Sequence, residues 1–300
     1  MIPTRARHTR VLTVLALLVV AGVSSVLAGC SRSEGPAVTT TRRIHHEERR
    51  LYTSEVQTSP SPPPAGQPVT LYLTVRDDSG RAGPELMPSH ERPMHLLIIS
   101  TDLRHFAHVH PAADGDRFRF EHTFEEGGEY FLVVDYQQPG RGQIVDRHRV
   151  HVEGAVHVTA GPLQESPRQQ RAGGLELTLR SEGELRAGEG ATLRFDAADA
   201  ETGLPVADLE PYLGAKAHFM VLSADGEDFV HVHALDDAGG ASKVSAHAVF
   251  PRPGLYKLWA QLQRRGVVVT IPFVLRIGPA RAASISAPDS SGGHSQHQHH

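Results

Sequence analysis

The chain has one cysteine, Cys30, in 300 residues. No disulfide can close within it, so any folded core must hold without staples. It also lacks a basic excess: Lys and Arg number 30 against 34 Asp and Glu, for a formal charge of −4. That balance removes the electrostatic footprint of a nucleic-acid partner. No helical stripe of useful length appears, and the longest apolar run, Val11 to Leu27, is barely long enough to span a bilayer. No Ser or Cys nucleophile motif and no general-base carboxylate stands at a recognisable spacing from other reactive groups. A binding role is therefore expected, not an enzyme, although three histidines with an open position would be the ligand set of a metalloenzyme. What is abundant is histidine, at 20 residues, roughly three times the usual share. Such an excess points to metal, pH sensing or a tag.

The amino terminus is read as a lipoprotein signal. Arg5, Arg7 and Arg10 precede the apolar run, which ends in Leu27-Ala28-Gly29-Cys30 and so resembles a bacterial lipobox. Residues 1–29 would be removed and Cys30 would carry lipid. The mature chain would then sit in the cell envelope without a free thiol. Ser31 after the cysteine, by resemblance to Gram-negative lipoproteins, favours an outer membrane facing the periplasm. Residues 30–50 are polar and lack apolar periodicity, and are read as a disordered tether in which His45 and His46 are solvated.

The remainder is a duplication. Ala65-Gly66-Gln67-Pro68-Val69-Thr70-Leu71 matches Ala187 to Leu193, Leu86 to Pro111 matches Leu209 to Ala234 without a gap, and Phe124, Gly128, Tyr130 and Leu132 match Phe250, Gly254, Tyr256 and Leu258. Within each copy, short alternating runs are separated by Gly, Pro and Asp turns, a strand signature. About seven strands in about a hundred residues imply an immunoglobulin-like sandwich, with an open barrel as the alternative. The expected organisation is all-β: one sandwich over residues 51–160, a linker over 161–174, a second sandwich over 175–279 and a disordered tail over 280–300. Tyr130 and Tyr256 are expected to pin a corner before a late strand.

The duplicated segment carries the candidate chemistry. His95 with His108 and His110 recurs as His218 with His231 and His233. A hairpin turning at Asp102-Leu103 places His95 opposite His110 and Leu97 opposite His108. Asp225-Gly226, a favoured hairpin dipeptide, does the same for His218 with His233 and Met220 with His231. Facing residues lie about 5 Å apart on one face, so three imidazoles converge if that register holds. One His-x-His reads most simply as histidines filling polar surface on an edge strand; its recurrence in both copies favours a metal site. Imidazole suits copper first and zinc second, and without cysteine a blue-copper centre is excluded. Met94 or Met220 could add a thioether. His122, His148, His151 and His157 have no counterparts in phase and are read as surface residues. His294, His297, His299 and His300, spaced by Ser and Gln, form a secondary chelator. Phe106 and Phe229 share the histidine face and are expected to pack beside it, with Val109 and Val232 opposite.

Around Met94-His95 and Phe106-Ala-His-Val-His-Pro111 the chain resembles the YtkA-like or FixH-like secreted bacterial domains. The resemblance implies a small, metal-associated envelope β-sandwich, of a kind often found alongside copper handling or cytochrome oxidase assembly, and no defined catalytic reaction; a metal site on a lipoprotein would in turn call for a metal-transfer partner in the envelope. Repeat two departs from it, with Ala217 for the Met and Ala234 for the Pro. The competing expectation is a structural or protein-interaction lipoprotein of tandem modules with no functional metal.

Overall fold

A computed structural model describes residues 52–281 apart from Pro84, Arg141, 157–160 and 236–239; for His231 and His233 it describes the backbone alone. The signal sequence, Cys30, the tether, His157 and the tail histidines lie outside the described residues. Among the described residues every regular element is a strand. Repeat one contains β1 (Tyr52–Ser59), β2 (Pro68–Asp77), β3 (Met94–Ser100), β4 (Phe106–Val109), β5 (Ala112–Asp114), β6 (Arg117–Thr123), β7 (Gly128–Gln138) and β8 (Gly142–Val152). Repeat two contains β9 (Gln169–Ala172), β10 (Leu175–Ser181), β11 (Gly190–Asp199), β12 (Leu209–Glu210), β13 (His218–Ser223), β14 (Phe229–Leu235), β15 (Lys243–Val249), β16 (Gly254–Arg264) and β17 (Val267–Ile277).

Each repeat is an antiparallel immunoglobulin-like sandwich. In repeat one the sheets β1-β2-β6-β5 and β4-β3-β7-β8 face each other. Their alternate residues, Leu71, Leu73, Leu96, Ile98, Leu132 and Val134 among them, fill the core. In repeat two, β14 belongs to both sheets, pairing β13 through Phe229–Val232 and β15 through His233–Leu235. The same stretch of repeat one is cut at Pro111, which lacks an N–H, so β4 ends at Val109 and β5 starts at Ala112. Ala234 stands at the corresponding place and lets the strand run through.

Part of the expected linker is strand. Gln169–Ala172 forms β9 on β10, turned by Gly173 and Gly174 at φ +52° and +78°. The Gly-Gly pair at the end of that stretch is a tight hairpin turn, a conformation that favours glycine at both positions. The two tyrosine corners have one geometry: Tyr130 Oη donates to Glu126 O at 3.0 Å and Tyr256 Oη to Arg252 O at 3.0 Å. Tyr130→Phe should cost about 0.5–1.5 kcal/mol, the net worth of one hydrogen bond, measured by denaturant unfolding. An unchanged midpoint would remove the corner from the account.

The feature that positions the site is the docking of one sandwich on the other. Strand β3 is buried along its whole length, and so is β13. One face of each serves its own core, whereas the other meets the opposite repeat. Leu97, Ile99, Leu103, Phe131 and Val133 pack there with Met220, Leu222 and Trp259, and the Phe106 ring stacks on Trp259 at 4.5 Å between centroids. Burying each such side chain contributes about 1.5–3 kcal/mol. The hairpin tips reach across reciprocally: Lys257 Nζ donates to Leu103 O at 2.5 Å, and a Cβ on Gly226 would lie 2.2 Å from the Phe131 ring.

Candidate metal centre

Two hairpins of identical design set the histidine register. Ser100 N donates to His105 O, Leu103 N to Ser100 O, and Ser100 Oγ to Asp102 Oδ1. Repeat two repeats each bond with Ser223, Asp228, Gly226 and Asp225. Leu103 and Gly226 occupy the left-handed position, at φ +62° and +72°. The ladders that follow pair Leu97 with His108 and Met220 with His231, the register expected from the turn positions. Val109 and Val232 point into the sandwich cores, and Phe106 and Phe229 join the inter-repeat cluster.

His95, His108 and His110 come together. One nitrogen from each lies within 4.8 Å of the others, and the ring centroids are 5.2, 4.9 and 4.8 Å apart. Two imidazoles on one tetrahedral ion, with bonds of about 2.0–2.1 Å, put their centroids about 5 Å apart. His95 Nε2 is 2.8 Å from the Ser89 carbonyl oxygen, which can only accept, so Nε2 carries the proton and Nδ1 offers a lone pair. His108 Nδ1 is 2.8 Å from Gln261 Oε1, whose amide nitrogen donates to Thr270 Oγ1 at 3.0 Å. In this arrangement His108 Nε2 also offers a lone pair, and it faces His95 Nδ1 at 3.0 Å. Two lone pairs at that distance repel, so this arrangement suits a cation between them, whereas a turned Gln261 amide makes His108 Nε2–H a donor to His95 Nδ1. Burial, helped by the neighbouring histidines, pushes His108 down to about 3, so its ring is neutral. His110 is lowered to about 4, chiefly by burial, and its Nε2 is buried without a hydrogen-bond partner.

The neighbourhood draws on both repeats. His90, His95, His108, Asp135, His218 and Met220 line one cavity. Asp135 pairs with His95 across the β3–β7 ladder and accepts from Gln143 at 2.7 Å, and Gln261 pairs with His218 at the equivalent point of β13–β16. His218 Nε2 donates to Tyr212 O at 2.8 Å, as His95 does to Ser89. Strand β14 carries His231 and His233, paired with Met220 and His247 respectively.

Met94 corrects an expectation. It is fully buried in the core of repeat one, and as His95's neighbour on an extended strand it points away from the cluster, so it is not a ligand. Met220 has the histidine-face parity and lines the cavity. His90, Asp135 and Gln261 were not singled out from sequence; the sign that marks the last two is a polar residue interrupting an apolar late strand.

The other histidines lie elsewhere. His122 sits edge-on to Phe124 at 4.7 Å, His151 pairs with exposed Glu129, and His148 shares a 2.8 Å hydrogen bond with Ser54 Oγ. Burial lowers His148 below the usual 6.5. The unfolded chain therefore takes up a proton on acidification before the folded one does, and stability falls as pH drops below 6.5. His148→Gln should flatten that slope in unfolding measured between pH 7 and 5; an equally steep slope would rule the residue out as its cause.

A family model described as a domain of unknown function, DUF8832, matches residues 50–154 and again 170–278. The chain belongs to the DUF8832 family. Two DUF8832 units thus account for both sandwiches. No curated protein matches the chain in sequence. Solved structures similar to it include Clostridium thermocellum CbhA fibronectin(III)-like modules (12% identity, 82% of this chain and 100% of that one, TM-score 0.21). Others are Yersinia pseudotuberculosis InvD (14%, 78% and 60%, 0.24) and domains 4 and 5 of the S-layer protein SbsC (12%, 71% and 82%, 0.21). At those scores the likenesses bear no functional argument for this DUF8832 chain.

Proposed function

We propose that this chain is an envelope-anchored lipoprotein that binds a transition-metal ion, copper foremost and zinc second, for buffering or delivery to an envelope partner. The observation that carries the reading is the convergence of His95, His108 and His110, one nitrogen from each within 4.8 Å of the others, with His95 Nδ1 3.0 Å from His108 Nε2. His110, buried and without a partner at Nε2, supplies a third nitrogen. Borderline imidazole donors without thiolate suit Cu(II) and Zn(II), with copper the tighter of the two. His95 is anchored by a backbone carbonyl at its other nitrogen and His108 by Gln261, the outer-shell support that fixes tautomer and ring direction. In the ion-free protein, turning the Gln261 amide over relieves the same contact: its nitrogen then donates to His108 Nδ1 and His108 Nε2–H donates to His95. Gln261 is thus acceptor with the ion and donor without it. The lipid on Cys30 holds the module at the membrane, and the tail histidines gather metal. The role is binding, not catalysis.

The reading predicts stabilisation by metal. At a free concentration a hundred times Kd, an ion that binds only the folded state adds about 2.7 kcal/mol. Thermal unfolding of the full chain with His294, His297, His299 and His300 replaced by serine, with and without Cu(II), measures it. Trp259, the single tryptophan, lies on β16 two residues from Gln261, and its fluorescence should quench as copper binds. Unfolding and emission both indifferent to copper and zinc would sink the proposal.

A further inference from the structure

The two sandwiches differ along one flank. In repeat two, β10 and β17 border a side that the chain closes with residues 165–172. Ser166 N donates to Val274 O at 3.1 Å and Val274 N to Ser166 Oγ at 2.9 Å. Leu179 N donates to Arg168 O at 2.7 Å, and Gln169–Ala172 pair antiparallel with β10. Glu165 adds an ion pair with Arg276 at 3.3 Å. Beneath this cover Leu179 and Leu275 are 2% and 1% exposed. In repeat one the same side lies between β1 and β8, the edge strands of its two sheets. Val56 opposite Leu73 stands where Leu179 stands opposite Phe195, and Val150 opposite Tyr130 where Leu275 stands opposite Tyr256. One point is latched: Asp146 accepts from Ser54 N at 2.7 Å and from Tyr136 Oη at 3.0 Å. Past the latch runs an open groove of about 550 Å³, lined by Val56, Thr58, Leu132, His148 and Val150, and here Val56 and Val150 are half-buried. Ser54 N turns away from β2 to reach Asp146, and by the period of two so does Val56 N, the counterpart of Leu179 N. Among the described residues Val56 N meets no acceptor.

We propose that this groove is a docking site for an acidic, extended segment of a partner protein, which adds an antiparallel strand to the free edge of β1 as β9 does to β10. Main-chain bonds to Val56 and Thr58 hold the segment, and alternate side chains enter the groove over Leu132 and cover Val56 and Val150. The charge of the occupant follows from the outer face of β8. There Arg147, Arg149 and His151 form a basic row where β17 carries Pro272, Val274 and Arg276. Arg149 lies over the Phe131 ring at 4.9 Å, and among the described residues neither arginine pairs with a carboxylate. A carboxylate placed as Glu165 is in repeat two meets this row. A basic segment loses the partner it has in repeat two, because Thr53 stands where Glu176 holds Arg171. Natural proteins cover or block an open strand edge; among its described residues this chain covers one of two equivalent edges and leaves the other free.

The probe is a fluorescent peptide with the sequence of residues 163–172 carrying Arg168→Glu and Arg171→Glu, beside a second peptide of the unaltered sequence. Both are titrated into the full chain by fluorescence anisotropy, and hydrogen exchange locates the contact. The acidic peptide should bind about tenfold more tightly than the unaltered one, the sum of a few surface charge pairs gained in place of repulsions. It should slow exchange of the β1 amides and leave those of β10 as they were. Val56→Pro removes an N–H that the β1–β2 ladder does not use, at an edge position where proline is tolerated, and should weaken binding about tenfold. Should that variant fail to fold, Val150→Lys sets a charge in the groove and should weaken binding likewise. Arg149→Glu should erase the preference for the acidic peptide. No binding of the acidic peptide, equal binding of the two peptides, affinity unchanged by the groove variants, a preference that survives Arg149→Glu, or protection outside β1 overturns the docking site.

Discussion

His108→Ala weakens copper binding by about two orders of magnitude or more, beyond the roughly 10–100-fold that loss of outer-shell support gives. His108 is the middle member of the cluster: its Nε2 faces His95, its Nδ1 reaches Gln261 of the other repeat, and its ring packs within 4.8 Å of His110. Removing it leaves His95 and His110 without the imidazole that bridges them. His151→Ala, on an exposed pair with Glu129, is the matched control and should bind copper as the parent does. Competition against a chelator of known affinity measures both. Equal affinities for the two variants would remove His108 from the site.

The second large effect concerns the docking of the repeats. Trp259 is 2% exposed, stacks on Phe106 and belongs to the inter-repeat cluster, not to the core of its own sandwich. Trp259→Ala should cost about 3–5 kcal/mol, the usual loss for a buried large aromatic. The loss falls on the interface, so amides of β3 and β13 should lose protection while those of β2 and β11 keep theirs. Hydrogen exchange separates this from general unfolding. Uniform loss across both sandwiches, or none, would contradict a separable interface.

The fold was legible because its signals are local. Alternation in Val69–Val75 and Phe118–Phe124, the turn at Asp225-Gly226 and the repeated Gly-x-Tyr corner each act over a few residues, and hairpin register follows directly from turn position. The docking of the repeats was less legible, although its trace is present. Leu96-Leu-Ile-Ile99 and Phe219-Met-Val-Leu222 are continuous apolar runs, the pattern of a strand covered on both faces. A strand facing water on one side would alternate. His90 was missed for another reason. It stands on a turn with no glycine, and only the tertiary pairing of that turn with Leu213-Gly214 brings the ring onto His218. The Met94 expectation failed on parity: residues adjacent on a strand face opposite ways, so Met94 and His95 cannot serve one ion.

The account turns on an ion held between His95 and His108. Its most direct measurement is the metal content of the full chain bearing serine at the four tail positions, taken by native mass spectrometry after exposure to excess Cu(II) and desalting, beside the His95→Ala/His108→Ala double variant. The parent should retain copper and the double variant should hold one ion fewer per chain. A parent that emerges metal-free, or a double variant that holds as much copper as the parent, would contradict the account.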